Sequence, residues 1–261
     1  MSLYVSQGNH PIDQDTRSLI SKRYKTITKA VNKAFWNSDS ETAHSRYVGS
    51  YGRGTAIDTS DLDILIELPL NEYSHFSSLL GNGPSTLLQT VKNAIIATYP
   101  NTNVRADGQV VVVTFYNEMK FEVLPAFCFR NGSFLYPNSH MGGNWLSTNP
   151  LAEQDAMKQK NDKSNGLLFD TCKHVRYIRD NLFSSYHLSG ILIDSFVFMA
   201  IGNWHWDQKD GYGQSSGAYE KSLLAYYNSF WSTVRAPGSG NSVSRDNWDN
   251  LGKVLNKMVG A

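Results

Sequence analysis

The amino-acid sequence predicts an α+β fold, in which a mixed segment is followed by a helical one. Apolar residues recur at helical spacing within residues 13–36, where we predict a long helix. Residues 61–68 are then strand-like, and β-branched and aromatic residues concentrate in residues 110–127. From about residue 152 onward the spacing of the apolar residues is helical again. Strand-rich and helix-rich runs that succeed one another are typical of α+β proteins or of two domains.

The first half contains two predicted helices. Asp13, Asp15 or Thr16 can cap the start of the helix over residues 13–36. Residues 84–98 carry a second apolar stripe. The stripe of the first helix consists of Ile20, Tyr24, Ile27, Val31 and Phe35.

Three strands are predicted between and after these helices. Residues 61–68 form a strand that Pro69 ends, because proline cannot donate to a sheet ladder. Residues 109–116 and 119–125 form a hairpin, with a polar break between them. The next residues, 130–150, are rich in glycine, asparagine, serine and proline, and we predict a loop there.

The second half is predicted to be helical. Helices are expected within residues 167–182, 188–204 and 247–259, with turn-rich loops at 207–217 and 236–246. The first of these helices has a stripe of Leu168, Cys172, Val175, Ile178 and Leu182.

We place the domain boundary near residue 150. The predicted domains are therefore residues 1–150 and residues 151–261, and a cleft between two such lobes is where a ligand is expected.

Composition excludes several classes of protein. The net charge of +1 gives no global attraction to long nucleic acid or to a membrane. No run approaches the roughly 18 apolar residues of a membrane span, and the first residues show no secretory signal. Cys128 and Cys172 lie far apart in apolar contexts, so neither a disulfide framework nor a zinc site is expected. We therefore expect a cytoplasmic protein.

Two acidic residues interrupt the apolar strand at residues 61–68. Asp61 and Asp63 are two positions apart, so both side chains should point to one face of the strand. Two carboxylates at so short a separation repel each other unless a positive charge lies between them. A lone pair of this kind is most often found on a solvated edge strand. Here Leu62 and Ile64 flank it, which favours a buried strand and a bound cation.

The residues before this acidic pair complete a longer pattern. Gly49 and Ser50 precede it, with ten residues between Ser50 and Asp61. The order Gly-Ser, about ten residues, and Asp-apolar-Asp-apolar resembles nucleotidyltransferases of the DNA polymerase β type. The resemblance implies a core with a mixed β-sheet, a helical lobe after it, and an active site in the cleft between them.

This resemblance gives the acidic pair a chemical role. Asp61 and Asp63 would hold one or two Mg²⁺ ions, with Mn²⁺ as the alternative, because Mg²⁺ prefers hard oxygen ligands. Two ions about 3.5–4 Å apart can activate an attacking hydroxyl and stabilise the leaving oxygen of an in-line displacement. Gly49 and Ser50 would offer backbone N–H groups and a hydroxyl to the triphosphate, since glycine has no Cβ to obstruct it.

A third carboxylate is usual in this family, on a neighbouring strand with apolar flanks. Glu122, in KFEVLPAF, has that context. The predicted catalytic and metal-binding set is therefore Asp61, Asp63 and Glu122. Glu118, in the predicted turn, and Glu67, about 13 Å past Asp63 by strand rise, are weaker candidates.

Motifs later in the sequence narrow the resemblance to one group of nucleotidyltransferases. GSYGRGTAI, FEVLPAF and GGNWLSTNP together resemble the bacterial relatives of cyclic GMP-AMP synthase, called CD-NTases, over residues 48–195. In that family a helix with a lysine and a helix resembling Ser-x-x-apolar-Glu follow, and here they match Lys173 and Ser189. Two positions depart from the family: Leu124 interrupts its Val-Pro-Ala segment, and Asp194 stands where glutamate is more usual.

Further contacts with phosphate are predicted for four residues. Lys173 and Arg176 are three apart on one helix face and could together hold the β- and γ-phosphates. Arg53 could reach a phosphate from the glycine turn, and Ser189 could either touch a phosphate or begin a helix. Solvated surface charges are the alternative for the three basic residues.

The resemblance implies a nucleotidyltransferase that takes ATP or other NTPs, releases pyrophosphate and makes a cyclic di- or oligonucleotide second messenger. In bacterial relatives the messenger usually activates an effector protein in anti-phage (CBASS-type) defence. Two alternatives stay open. The acceptor could instead be a linear oligoadenylate, an RNA 3′ end or a small molecule, or the chain could be an inactive nucleotide-binding scaffold.

Overall fold

The computed structural model describes residues 3–130, 132–207 and 213–260. Residues 208–212 of the loop predicted at 207–217 lie outside these ranges, as does residue 131 of the loop predicted at 130–150. The α+β fold class is confirmed, since a mixed β-sheet is combined with helices.

The helices and strands follow each other in an order that the sequence predicted in outline. The helices are α1 Gln14–Trp36, α2 Gly49–Gly52, α3 Leu70–Ser78, α4 Gly83–Thr98, α5 Pro150–Lys163, α6 Leu167–Leu182, α7 Gly190–Ala200, α8 Ala218–Ser229 and α9 Trp248–Val259. The strands are β1 Ser45–Tyr47, β2 Leu62–Glu67, β3 Asn103–Asp107, β4 Val110–Thr114, β5 Lys120–Cys128, β6 Phe134–Asn138 and β7 Asn144–Thr148. Among the described residues, no helix is long and apolar enough to cross a membrane.

The chain packs into two compact units. One, called the sheet unit, consists of Asp13–Gly52 and Asp61–Asn149. The other, called the helical unit, consists of the described residues through Ile12, Arg53–Ser60, and those from Pro150 onward. These units describe packing, and the division into functional domains near residue 150 stays a prediction.

The sheet unit is built on the strand order β1-β2-β5-β4-β3, with β6 paired to β5 and β7. β2 and β5 run parallel, whereas β1, β3, β4, β6 and β7 pair antiparallel with their neighbours. β2 lies between β1 and β5, which explains why Ile64, Leu65 and Ile66 are all fully buried. The apolar run in the sequence is therefore an interior strand.

Helix α1 begins where the sequence places its cap. The side chain of Asp13 accepts a hydrogen bond of 2.8 Å from the backbone N–H of Thr16. The helix ends at Asn37, whose φ of 49° is the left-handed conformation common at helix C-termini. The predicted stripe is buried at Ile20, Tyr24, Ile27 and Val31, and α1 packs against α4.

The prediction of a loop at residues 130–150 is wrong for most of that range, because β6 and β7 form a hairpin there. Phe134 is buried and pairs with Cys128 of β5. Pairing with an existing strand edge outweighs the weak strand propensity of these asparagine-, glycine- and proline-rich residues. The sequence also gave no sign of β3 or α3.

The core of the helical unit is formed largely by α6, α7 and α9. Leu168, Cys172, Val175 and Ile178 of the predicted α6 stripe are fully buried, whereas Leu182, the last residue of the helix, is 40% exposed. The four buried residues belong to one apolar cluster with side chains of α7 and α9, among them Leu192, Phe196, Leu251 and Leu255.

Candidate active site

The pairing of β2 with β5 brings the predicted acidic residues together. In this parallel pair Asp63 lies opposite Glu122, and Leu62 lies opposite Phe121. Residues in register on adjacent strands point to the same face of the sheet. Both Asp63 and Glu122 are half-buried, between fully or nearly fully buried apolar neighbours. The structure therefore places the second and third predicted carboxylates side by side.

A lysine that sequence reasoning missed lies at this acidic site. The Nζ of Lys120 is 3.1 Å from Oδ2 of Asp61 and 2.6 Å from Oε1 of Glu122. Partial burial disfavours the ammonium, but hydrogen bonds and charges from Glu122 and Asp61 outweigh it and raise the pKa of Lys120. The positive charge that the acidic residues require is thus present in the chain itself.

The signal that could have found Lys120 is the alternation of strand side chains. Lys120 is two positions before Glu122, so both point to one face of β5. The pairing of Leu62 with Phe121 also sets the residues before them, Asp61 and Lys120, next to each other. To predict the contact between Lys120 and Asp61, the register of β2 with β5 would also have been needed, and the sequence does not give it.

The glycine turn lies directly against the second aspartate. The backbone N–H of Val48 donates a hydrogen bond of 2.8 Å to the carbonyl oxygen of Asp63. Gly49 then begins α2 with a φ of +58°, and a Cβ at this position would overlap Oδ2 of Asp63. Gly49 is therefore required by the aspartate itself, whatever it offers to a nucleotide. Ser50 follows in α2 and is half-buried.

The three carboxylates have the donor chemistry of a divalent-metal site. Asp61, Asp63 and Glu122 provide carboxylate oxygens, the donor type that Mg²⁺ and Mn²⁺ take. The ammonium of Lys120 shows that a cation is held by two of the three carboxylates. As the side chains stand, the described part of the chain has no group of three or more acidic, histidine or cysteine residues arranged for a metal. The donor chemistry of the three carboxylates fits Mg²⁺ or Mn²⁺, although their side chains are not gathered into a metal-binding group as they stand.

The two weaker acidic candidates lie elsewhere in the sheet unit. Glu67 is the last residue of β2, and its backbone oxygen accepts a hydrogen bond of 2.9 Å from the indole of Trp36. Glu118 has a φ of +64° in the turn between β4 and β5, where the sequence placed it. Glu67 is in register with Ala126, four residues beyond Glu122, the partner of Asp63.

Arg53 lies in the helical unit and is buried in an ion-pair network. Its Nε is 2.8 Å from Oδ2 of Asp194, and its NH1 group is 3.4 Å from Oε2 of Glu153. Only 8% of the residue is exposed. The described contacts of Arg53 are structural, and a contact with phosphate stays a prediction.

Arg176 belongs to the same network. It is 1% exposed and donates to both carboxylate oxygens of Asp194, over 2.6 and 2.9 Å. The interpretation of Arg176 as a phosphate ligand beside Lys173 does not fit this burial. Asp194, which the sequence marked only as a departure from the family pattern, is the centre of a buried charge cluster.

Lys173 and Ser189 are also in the helical unit. Lys173 lies on α6 and is half-buried. Ser189 is exposed and precedes α7, where its side chain makes no capping hydrogen bond. The position of Ser189 directly before α7 matches the alternative that it begins a helix. The predicted phosphate contacts of Lys173 and Ser189 stay predictions.

Comparison with known proteins identifies a matching family. A family model described as "Second Messenger Oligonucleotide or Dinucleotide Synthetase domain" matches residues 8–161. No curated protein matches the chain by sequence.

Solved structures with the same fold span nearly the whole chain. The Rhodothermus marinus CdnE c-UMP-AMP synthase with Apcpp and Upnpp is 12% identical, with a TM-score of 0.64, covering 95% of this chain and 96% of that one. The Elizabethkingia meningoseptica CdnE cyclic dinucleotide synthase with GTP and Apcpp is 13% identical, also with a TM-score of 0.64, covering 96% and 98%. The Bradyrhizobium diazoefficiens CD-NTase CdnG in complex with GTP is 11% identical at the same TM-score, covering 97% and 86%. At these identities the likeness establishes the fold.

Proposed function

Since the chain belongs to the family of second messenger oligonucleotide or dinucleotide synthetase domains, we propose that it joins NTPs into a cyclic di- or oligonucleotide and releases pyrophosphate. The observation that carries this proposal is the register of β2 and β5, which sets Asp63 beside Glu122. Asp61 lies on the same face, joined to Glu122 through Lys120. Three carboxylates on two adjacent strands are the donor set that the reaction needs.

In the proposed site, Asp61, Asp63 and Glu122 hold Mg²⁺, or Mn²⁺ in its place. When bound, divalent cations supply positive charge that activates a hydroxyl and stabilises the departing phosphate oxygen. The turn at Gly49 and Ser50 offers backbone N–H groups to the triphosphate. Because Val48 donates to the carbonyl of Asp63, this turn and the acidic strand keep a fixed distance, which positions the triphosphate against the carboxylates.

The reaction proposed is attack by a ribose 2′- or 3′-hydroxyl on the α-phosphorus of a bound NTP. The new P–O bond forms as the bond to the β-phosphate oxygen breaks, and pyrophosphate leaves. We propose ATP as a substrate, with other NTPs as further candidates, which the presence of GTP, Apcpp and Upnpp in the similar structures supports. Lys173, Ser189 and Arg53 remain proposed contacts for the phosphates.

We further propose that the product acts on an effector protein in anti-phage defence, in the cytoplasm. The resemblance to the family is what supports this role. It is tested by expressing the chain with its neighbouring genes and measuring phage plating, which should fall relative to a strain without them.

The reaction is tested by incubating the protein with labelled NTPs and Mg²⁺ or Mn²⁺, followed by phosphatase. Label that resists phosphatase, formed without any added acceptor, supports a cyclic product. Label that appears only with an added RNA or small-molecule acceptor would replace the proposal with a transferase of another acceptor. Nucleotide binding with no turnover under either metal would indicate an inactive scaffold.

A further inference from the structure

The ammonium of Lys120 lies where a cation is expected at the acidic site. It contacts Asp61 over 3.1 Å and Glu122 over 2.6 Å. The position is set by the fold, because Lys120 and Glu122 share a face of β5 and the register sets Lys120 beside Asp61. A lysine at any neighbouring position of β5 would point to the other face of the sheet.

Building on the proposed function, we propose that Lys120 is an internal competitor of the metal. Its ammonium holds Asp61 and Glu122 together in the metal-free protein and must leave them before a divalent cation binds. Lys120 thereby sets the concentration of divalent cation at which the site fills. It acts as a positioning residue, since it works through the carboxylates and not on the nucleotide.

Charge balance supports this competition. The face carries three carboxylates, Asp61, Asp63 and Glu122, and the ammonium offsets part of their mutual repulsion. A divalent cation brings more charge to the same oxygens, so the ammonium and the metal cannot both hold them at full strength. The side chains of Lys120 and Glu122 are 30% and 29% exposed, so the ammonium has a path into solvent.

The size of the effect follows from the exposure of the contacts. Partly exposed ion pairs contribute modestly, and two of them give roughly a twofold to thirtyfold change in an equilibrium constant. Removing the charge at Lys120 should therefore strengthen metal binding by a factor in this range.

The test is a titration of the nucleotide-free protein with Mn²⁺, followed by electron paramagnetic resonance of the free ion. We compare the wild type with Lys120→Gln, which removes the charge, and Lys120→Arg, which keeps it. Lys25→Gln is the control, because it removes one positive charge from an exposed position of α1. Thermal melting of each variant establishes that it is folded.

The expected result is tighter Mn²⁺ binding in Lys120→Gln, with Lys120→Arg and Lys25→Gln close to the wild type. The gain should disappear when Asp61→Asn and Asp63→Asn are added. Unchanged or weaker binding in Lys120→Gln overturns the inference, and so does a gain that survives loss of both aspartates. Absence of Mn²⁺ binding in wild type and Lys120→Gln alike overturns it as well.

Turnover of NTPs separates this inference from the proposed function. Cyclic product from the wild type, with no change of metal affinity in Lys120→Gln, refutes only the role of Lys120. A gain in metal affinity with no product from any variant supports the role of Lys120 and refutes the proposed reaction.

Discussion

Asp194 offers the sharpest test of the buried network in the helical unit. Its carboxylate is fully buried and accepts hydrogen bonds from Arg176, Arg53 and the hydroxyl of Thr55. Burial opposes the charged form, but the charges of Arg176 and Arg53 and their hydrogen bonds outweigh burial and lower the pKa of Asp194 to about 2. Asp194→Asn keeps the shape of the side chain and removes the charge.

The expected loss of stability can be bounded from two directions. The fall in pKa from 3.8 to about 2 corresponds to about 2 kcal/mol of stability above the unfolded pKa, lost as the pH falls toward 2. Removing the carboxylate also leaves the guanidinium groups of Arg176 and Arg53 buried without their shared counter-charge. Breaking a buried pair in this way costs about 3–5 kcal/mol, so we expect the variant to lose stability in that range.

Urea unfolding at pH 7 measures this loss. Asp155→Asn serves as the control, because Asp155 is exposed on α5 and its substitution removes the same charge from the surface. The control should change the free energy of unfolding by at most about 0.5 kcal/mol. A loss of no more than about 0.5 kcal/mol for Asp194→Asn, the range of a surface change, would refute the reasoning.

Two further predictions concern the glycine turn and the stacked pair of His10 and His174. Gly49→Ala should lose at least about 1 kcal/mol of stability, which urea unfolding measures. Its turnover should also fall, because the new Cβ displaces the carboxylate of Asp63, and a product assay measures this loss. Burial, the adjacent His174 and Lys173 lower the pKa of His10 to about 4, against the raising effect of Asp58. A neutral histidine in the folded state contributes stability above pH 6.5 that is lost as the pH falls toward 4, so His10→Phe should flatten the dependence of melting temperature on pH over this range.

Matched controls keep these two predictions specific. Gly240 also has a positive φ, of +67°, but nothing lies within 4 Å of the Cβ that alanine would add. Gly240→Ala should therefore lose stability through strain alone and keep full turnover, and equal turnover in both glycine variants would contradict the role of Gly49. His187 is exposed, and a His187→Phe protein that flattens the pH dependence as much as His10→Phe would contradict the second prediction.

The sequence predicted the shared face of Asp61 and Asp63 because strand alternation is a local property. Asp61 and Asp63, two positions apart in an apolar run, indicated a strand with a charged face. Strand β2 carries Asp63 and begins directly after Asp61. Glu122 was predicted because the family resemblance implies a third carboxylate with apolar flanks, and β5 carries it. The requirement for a cation near these residues also followed from their charges. Lys120 partly meets this requirement for a cation. Its place beside Asp61 depends on the register of β2 with β5, which is a long-range property.

Residues whose role depends on tertiary burial were predicted less well. Arg53, Arg176 and Asp194 are far apart in the sequence, and nothing local indicates that they meet in one buried network. For the same reason the hairpin of β6 and β7 was missed, since its composition is that of a loop and its pairing with β5 decides the structure.

The central claim is that Asp61 and Asp63 carry nucleotide transfer to a cyclic product. The most direct measurement is mass spectrometry of the products formed from all four NTPs with Mg²⁺, by the wild type and by Asp61→Asn with Asp63→Asn. We expect a cyclic di- or oligonucleotide from the wild type and none from the double variant, whose circular dichroism and melting curve should show a retained fold. The same product from the folded double variant would contradict the claim.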